Sequence, residues 1–155
     1  MVRQFLLLLY LTSLYAGRFL VAESGVLLSR VTQVKQKEQA QYVGLSTGFN
    51  SLIRPTMYGS YHYVINLTRV DCGAPMHTAS VVGPICETGD IFAVRGGRGV
   101  RVLLVLIVEQ RSRRIHVSSV DDVFLIATAG AYGHTMSMAY YNMRPAAAEL
   151  VIDAI

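Results

Sequence analysis

Arg54 stands directly before Pro55 in the stretch GFNSLIRPTMYGSYH, and Tyr58 follows three residues after the proline. A guanidinium fork and a phenol at that spacing can converge on one carboxylate, with the bidentate geometry that makes arginine a good anion clamp. The proline biases Arg54 toward extended backbone. The plainer reading of Arg54 is a surface arginine paired with a nearby acid. A second candidate is Cys86-Glu87, set between GPI and TGD, where a thiol and a carboxylate occupy adjacent loop positions. A tuned thiol donates a proton or attacks, and the carboxylate binds an amine or disfavours the thiolate. The plainer reading is a buried, inert cysteine beside a solvated glutamate. In AGAYG, Ala129 to Gly133, the glycines let backbone amides approach an anion and Tyr132 adds a hydroxyl donor. Arg18, after Gly17, is a further basic candidate near the other end of the chain.

The remaining chemistry-bearing residues form no such pattern. Cys72 and Cys86 give no CxxC, and His62, His77, His116 and His134 show neither metal-ligand nor triad spacing. No structural metal is expected. Asn66 opens an NLT acceptor pattern for glycosylation, but it lies in an expected strand. The net charge of +4 is local: six arginines against Glu109 lie between Val94 and Arg114, and the other residues sum to −1. A nucleic-acid partner is therefore not expected.

The 155 residues, 52% apolar and 15% charged, suffice for one core. Short β-rich runs punctuated by Gly, Pro and Asn predict a mainly β domain, a barrel or a sandwich. Strands are expected in FLVAESGVLLSRVTQV, broken at Glu23-Ser24-Gly25, and in YVGLSTGF, YHYVINL, TASVVGP, DIFAV, VFLIATAGAY and AAAELVID. KQKEQAQ reads as a hairpin connection, and only Thr135 to Asn142 reads as mildly helical. Residues 1–16 form an apolar segment laid out roughly as a secretory signal, too short to span a bilayer as a helix. Residues from 94 to about 120 differ from their neighbours in charge and hydrophobic density and read as an atypical insertion. Their apolar run Val100 to Val108 is either an extra strand or unsupported sequence.

Taken together, GRFLVAESGVLL, GFNSLIRPTMYGSYH, VVGPICETGD and LIATAGAYGHTMSMAYYNMRPAAAELV resemble the C-terminal part of the fold-type III, pyridoxal-phosphate-dependent ornithine/diaminopimelate/arginine decarboxylases. The resemblance covers Gly17 to Ala93 and Asp121 to Ile152. It implies a C-terminal β-barrel domain over residues 17–155, with the cofactor-bearing (β/α) barrel missing. It is interrupted from Val94 to about Val120, as translated intronic sequence would interrupt it.

By the same resemblance, Arg18, Arg54 and Tyr58 bind the amino-acid substrate, and Gly17, Arg18 and Tyr132 lie at the pyridoxal phosphate, Tyr132 also touching substrate. Cys86 is the catalytic proton donor to the substrate carbon after carbon dioxide leaves, and Glu87 recognises the far amino group. Cys86 and Glu87 would be donated across a homodimer interface. The Cys-Glu pair favours diaminopimelate, hence lysine formation, over ornithine or arginine. The family's Schiff-base lysine, glycine-rich phosphate loop and stacking histidine find no match here, and Tyr15-Ala16 replace its acidic residue and proline. The chain alone is therefore expected to be inactive and poorly soluble. A cytoplasmic, non-membrane protein is expected, or a secreted one if residues 1–16 are a signal. The rival class is a non-catalytic module that binds a full-length decarboxylase and regulates it.

Overall fold

The computed structural model describes residues 17–37, 40–93 and 113–152. Seven strands form one sheet: β1 (Leu27–Lys37), β2 (Ala40–Leu45), β3 (Val64–Asn66), β4 (Met76–Val82), β5 (Ile91–Ala93), β6 (Arg113–His116) and β7 (Val123–Ile126). Their order is β3-β7-β1-β2-β4, with β5 and β6 both on the far edge of β4.

β1 makes the sheet curl. Its first residues pair antiparallel with β7, Leu27 opposite Ile126, and its later ones with β2, Val31 opposite Leu45. A register shift between Val31 and Gln33 separates the two halves, as a bulge that turns a strand from one sheet face into the next. Between Ser29 and Thr32 burial alternates residue by residue, the period-two pattern of a strand with one wet face. β2 then pairs parallel with β4. β6 lies against β3 across the remaining gap, so the sheet is a nearly closed barrel. Inside sit Val31, Val43, Leu45, Leu52, Val64, Val81, Phe124 and Ile126, with Ile115 from β6 and Phe92 from β5.

Side chains bridge the gap where the ladder stops. Asn66 Nδ2 donates to Ser118 Oγ at 3.1 Å and to Asp122 Oδ2 at 2.9 Å. The Ser119 amide and Arg69 Nε donate to the same carboxylate. Asn66, only 1% exposed and committed to these bonds, is no glycan acceptor.

Three expectations are corrected. Residues 17–21 form a helical turn, not a strand, with Phe19 87% exposed. A short apolar run does not by its pattern separate strand from helix, and among the described residues no strand is paired with this one. AAAELVID is irregular through its described residues, with Leu150, Val151 and Ile152 exposed. Residues 135–140 are turns and irregular backbone, followed by a 3-10 turn at Tyr141–Met143, and Tyr140, Asn142 and Met143 have positive φ. The expected strands around Tyr61–Leu67 and VFLIATAGAY are present but short. Residues 1–16 and the run Val100 to Val108 lie outside the described residues. No helix among the described residues is long and apolar enough to cross a membrane.

The Asp122 carboxyl lies below the ordinary aspartate value. Burial pushes it up, but the bonds from Asn66, the Ser119 amide and Arg69, with the Arg69 charge, outweigh burial. Its stabilisation is full above the unfolded value and is lost as pH falls through the lower folded value. Asp122→Asn should therefore flatten the loss of thermal stability below about pH 4. Asp122→Ala should cost about 1–3 kcal/mol at neutral pH by denaturant titration. An acid limb unchanged in Asp122→Asn would show that another group carries it.

Candidate functional site

Between β2 and β3 the chain makes a compact excursion that carries Arg54. Ser51 and Leu52 amides donate to the Gly48 carbonyl, and a helix follows at Arg54–Tyr58, closed by Gly59 at φ 62°. Arg54 is thus the first helical residue rather than an extended one, which corrects the expectation drawn from Pro55. Proline is tolerated in a helix's first turn because the amide it lacks has no intrahelical partner there. Proline at this position therefore starts the helix instead of preventing it.

The Arg54 guanidinium lies 5.5 Å from the Tyr58 ring centre and 5.1 Å from that of Tyr132, between two aromatic faces that favour a cation. Its Nη2 donates to Ser60 Oγ at 3.3 Å. No ion pair holds it among the described residues. Arg54 and Arg18 line the same open cleft of about 250 Å³, with Ser60, Tyr61, His62 and Thr128. Two guanidiniums with a neighbouring phenol are a donor set that fits an anionic group such as a phosphate or a carboxylate. The chain's two lysines, Lys35 and Lys37, stand on β1 opposite Tyr42 and Ala40, away from this cleft.

Tyr132 is held in a left-handed conformation, φ 63°, unusual for a residue with a side chain. The turn that carries it is pinned from outside. Ala129 N donates to Gly25 O at 2.9 Å and Gly130 N to Ala22 O at 3.1 Å, and a Cβ on Gly130 would lie 2.1 Å from Val21 O. This corrects part of the anion-loop expectation: the Ala129 and Gly130 amides are spent on Gly25 and Ala22, the residues after the helical turn. The glycine permits that close approach, and the approach brings Tyr132 beside Arg54. At Gly17 a Cβ would meet nothing within 4 Å, so no packing requires glycine there among the described residues.

Cys86 and Glu87 sit on a second loop, between β4 and β5, and both side chains are exposed. Cys86 is therefore not the buried, inert thiol of the plainer reading. Glu87 Oε1 accepts the Thr88 amide at 2.9 Å. Thr56 of the short helix reaches this loop, its Oγ1 donating to Gly89 O at 2.6 Å. Among the described residues, no hydrogen bond, ion pair or ring contact joins Cys86 or Glu87 to Arg18, Arg54, Tyr58 or Tyr132. No group of three His, Cys, Asp or Glu side chains among them is arranged to hold a metal.

The residue that organises both loops is Asp90, which composition and spacing did not single out. It is 3% exposed, and its two oxygens accept the Phe49 and Ile85 amides, each at 2.7 Å. One amide belongs to the Arg54 excursion and the other precedes Cys86. A Cβ on Gly48 or Gly83 would fall within 2.6 Å of the carboxylate, so both glycines make room for it. Burial pushes the carboxyl up, and the Ile85 and Phe49 amides and the Arg144 charge offset this only in part. Around it Phe49, Ile53 and Ile85 form a second apolar cluster, covered by Met136 and Met138. The available signal was the pair of glycines, each bordering a loop that had to meet the other.

Residues 10–100 match the family model of the pyridoxal-dependent decarboxylase C-terminal sheet domain. The diaminopimelate decarboxylase of Zymomonas mobilis is 41% identical over 137 residues, covering 88% of this chain and 28% of that protein. The enzyme of the same name from Escherichia coli K12 is 39% identical over 140 residues, covering 88% of this chain and 31% of its own length. The crystal structure of diaminopimelate decarboxylase from M. jannaschii in complex with L-lysine superimposes with a TM-score of 0.64 at 32% identity. It covers 83% of this chain and 25% of that one. The chain thus spans under a third of the length of these relatives.

Asp90→Asn keeps the shape of the side chain but leaves one oxygen where two amides need acceptors. It should destabilise the chain by about 1–3 kcal/mol in chemical denaturation. Wild-type stability in this variant would mean that one of the two amides finds another acceptor and that the loops are joined chiefly by their apolar cluster.

Proposed function

This chain belongs to the family of pyridoxal-dependent decarboxylase C-terminal sheet domains, and from that premise we propose that residues 17–155 form the β domain of a diaminopimelate decarboxylase. The parent reaction converts meso-diaminopimelate to L-lysine and carbon dioxide. The observation that carries the reading is Arg54, held between Tyr58 and Tyr132 with no carboxylate partner among the described residues and sharing a cleft with Arg18. Pyridoxal phosphate, bound by the full-length protein, supplies the electron sink that makes loss of carbon dioxide from an amino acid feasible.

This chain's residues act around that chemistry. Arg54 and Tyr58 hold a substrate carboxylate, with Arg18 adding charge at the same cleft. Tyr132, with its hydroxyl, and Arg18, with its charge, would hold the cofactor phosphate. Cys86 Sγ delivers a proton to the substrate α-carbon once carbon dioxide has left. Glu87 pairs with the ammonium at the far end, which an exposed carboxylate on a fixed loop does well and which favours a substrate with an amine there. Among the described residues, neither Cys86 nor Glu87 is bonded to Arg18, Arg54, Tyr58 or Tyr132 within one chain, which supports a homodimer in which each subunit lends Cys86 and Glu87 to the other's site. The chain's own lysines lie away from the cleft, so the amine that holds the cofactor comes from the rest of the parent.

The test is a chimera in which residues 17–152 replace the corresponding domain of the Zymomonas mobilis enzyme, assayed for carbon dioxide release from meso-diaminopimelate. Arg54→Ala and Cys86→Ala chimeras should each lose activity about 100-fold or more. Co-expressing the two should restore about a quarter of the unmutated rate, the share of sites left intact in a random mixture of two-fold dimers. A folded, dimeric chimera that releases no carbon dioxide, or two variants that fail to complement, would remove the reading or its cross-subunit part respectively.

A further inference from the structure

β5 and β6 are separate in sequence but occupy one edge of β4 in tandem. Both run antiparallel to it, so they run in the same direction. Ala93 pairs with Val81, and Arg113 pairs with Ala79. Moving two residues along β4, from Val81 to Ala79, calls for an advance of two residues on its partner. The numbering instead advances by twenty, from 93 to 113, an excess of eighteen residues. From these registers we infer that β5 and β6 are two halves of a single strand, and that residues 95–112 are an insertion within it.

Burial supports the same join. Ala93 and Ile115 both face the principal core, 4% and 2% exposed, while Arg114 is exposed. With Val94 alone as the link, Ala93 and Ile115 stand four positions apart and so on one face of the strand, as their burial requires. The joined strand, Ile91–Val94 followed by Arg113–His116, has one residue more than the seven of Met76–Val82, and the extra one falls at the register shift between Val81 and Val82. An excess of even number is the only kind that keeps this alternation, since a slip of one residue sends every side chain to the opposite face.

The insertion explains the chain's charge as well. Residues 95–112 carry four arginines and one glutamate, so most of the net charge of +4 belongs to neither barrel nor cleft. Its boundaries are narrower than the sequence suggested. Arg113–His116 pair with β4, and Ser118 completes the Asn66 network, so the stretch after Ser112 is barrel. The inference does not depend on the functional reading, because it uses only strand register and burial.

Two deletions in the full chain test it, with thermal melts followed by circular dichroism and near-ultraviolet absorption. The Δ95–112 chain should fold and melt at or above the temperature of the intact chain, since the barrel keeps every pairing and loses an eighteen-residue closure. Hydrogen exchange at Thr78 to Val82 should slow in that variant. The Δ94–112 chain, shorter by one residue, puts Arg114 inward and Ile115 outward and should melt clearly lower. Failure of Δ95–112 to fold, or equal melting of the two deletions, overturns the assignment.

Discussion

Phe49 and Ile85 come from loops separated by two strands, yet their amides meet on one buried carboxylate. Everything at this end of the barrel is arranged around that convergence on Asp90. Gly48 and Gly83 leave the space the carboxylate fills, and Phe49, Ile53 and Ile85 pack beside it. The cost of burying the acid is visible in its raised pKa, which its amide donors and Arg144 reduce without cancelling. Together with the Thr56–Gly89 bond, this junction ties the loop that carries Arg54 to the one that carries Cys86. With it, they share one rigid support, which is what a site assembled from loops requires.

A second buried carboxylate works at the barrel seam and behaves oppositely. Asp122 receives Asn66, Arg69 and the Ser119 amide, and those donors outweigh its burial. The contrast follows from donor supply. Asp122 has a cation in direct contact, whereas Asp90 has two amides and a more distant arginine. Each carboxylate replaces backbone bonds where strands do not reach one another, so the fold uses buried acids as junctions.

The site residues are carried by short irregular segments, and their positions come from what those segments pack on. Ala22 and Gly25, just after the helical turn at 17–21, take the Gly130 and Ala129 amides, which fixes the turn bearing Tyr132. That turn sets Tyr132 near the Arg54 guanidinium, and the Arg54–Tyr58 helix sets Tyr58 near it as well. The exposed apolar residues at both limits of the described chain, Phe19 and Leu20 with Leu150 to Ile152, lie outside the barrel's own core.

The sequence by itself determined the mainly β character, the candidate residues Arg18, Arg54, Tyr58, Cys86, Glu87 and Tyr132, and the different charge and apolar density of the stretch after Ala93. Those features are local: alternation within a strand, glycine and proline between strands, and motifs a few residues long. It misread 17–21 as strand, AAAELVID as strand and Arg54 as extended, because each short run is compatible with several backbone states and the choice falls to its neighbours. Only the tertiary structure decided that Asp90 joins the two site loops, that Arg54 lies between two tyrosines, and that the Gly130 amide serves packing. It alone also placed β5 and β6 on one edge, since register is a relation between strands and is written in neither strand separately.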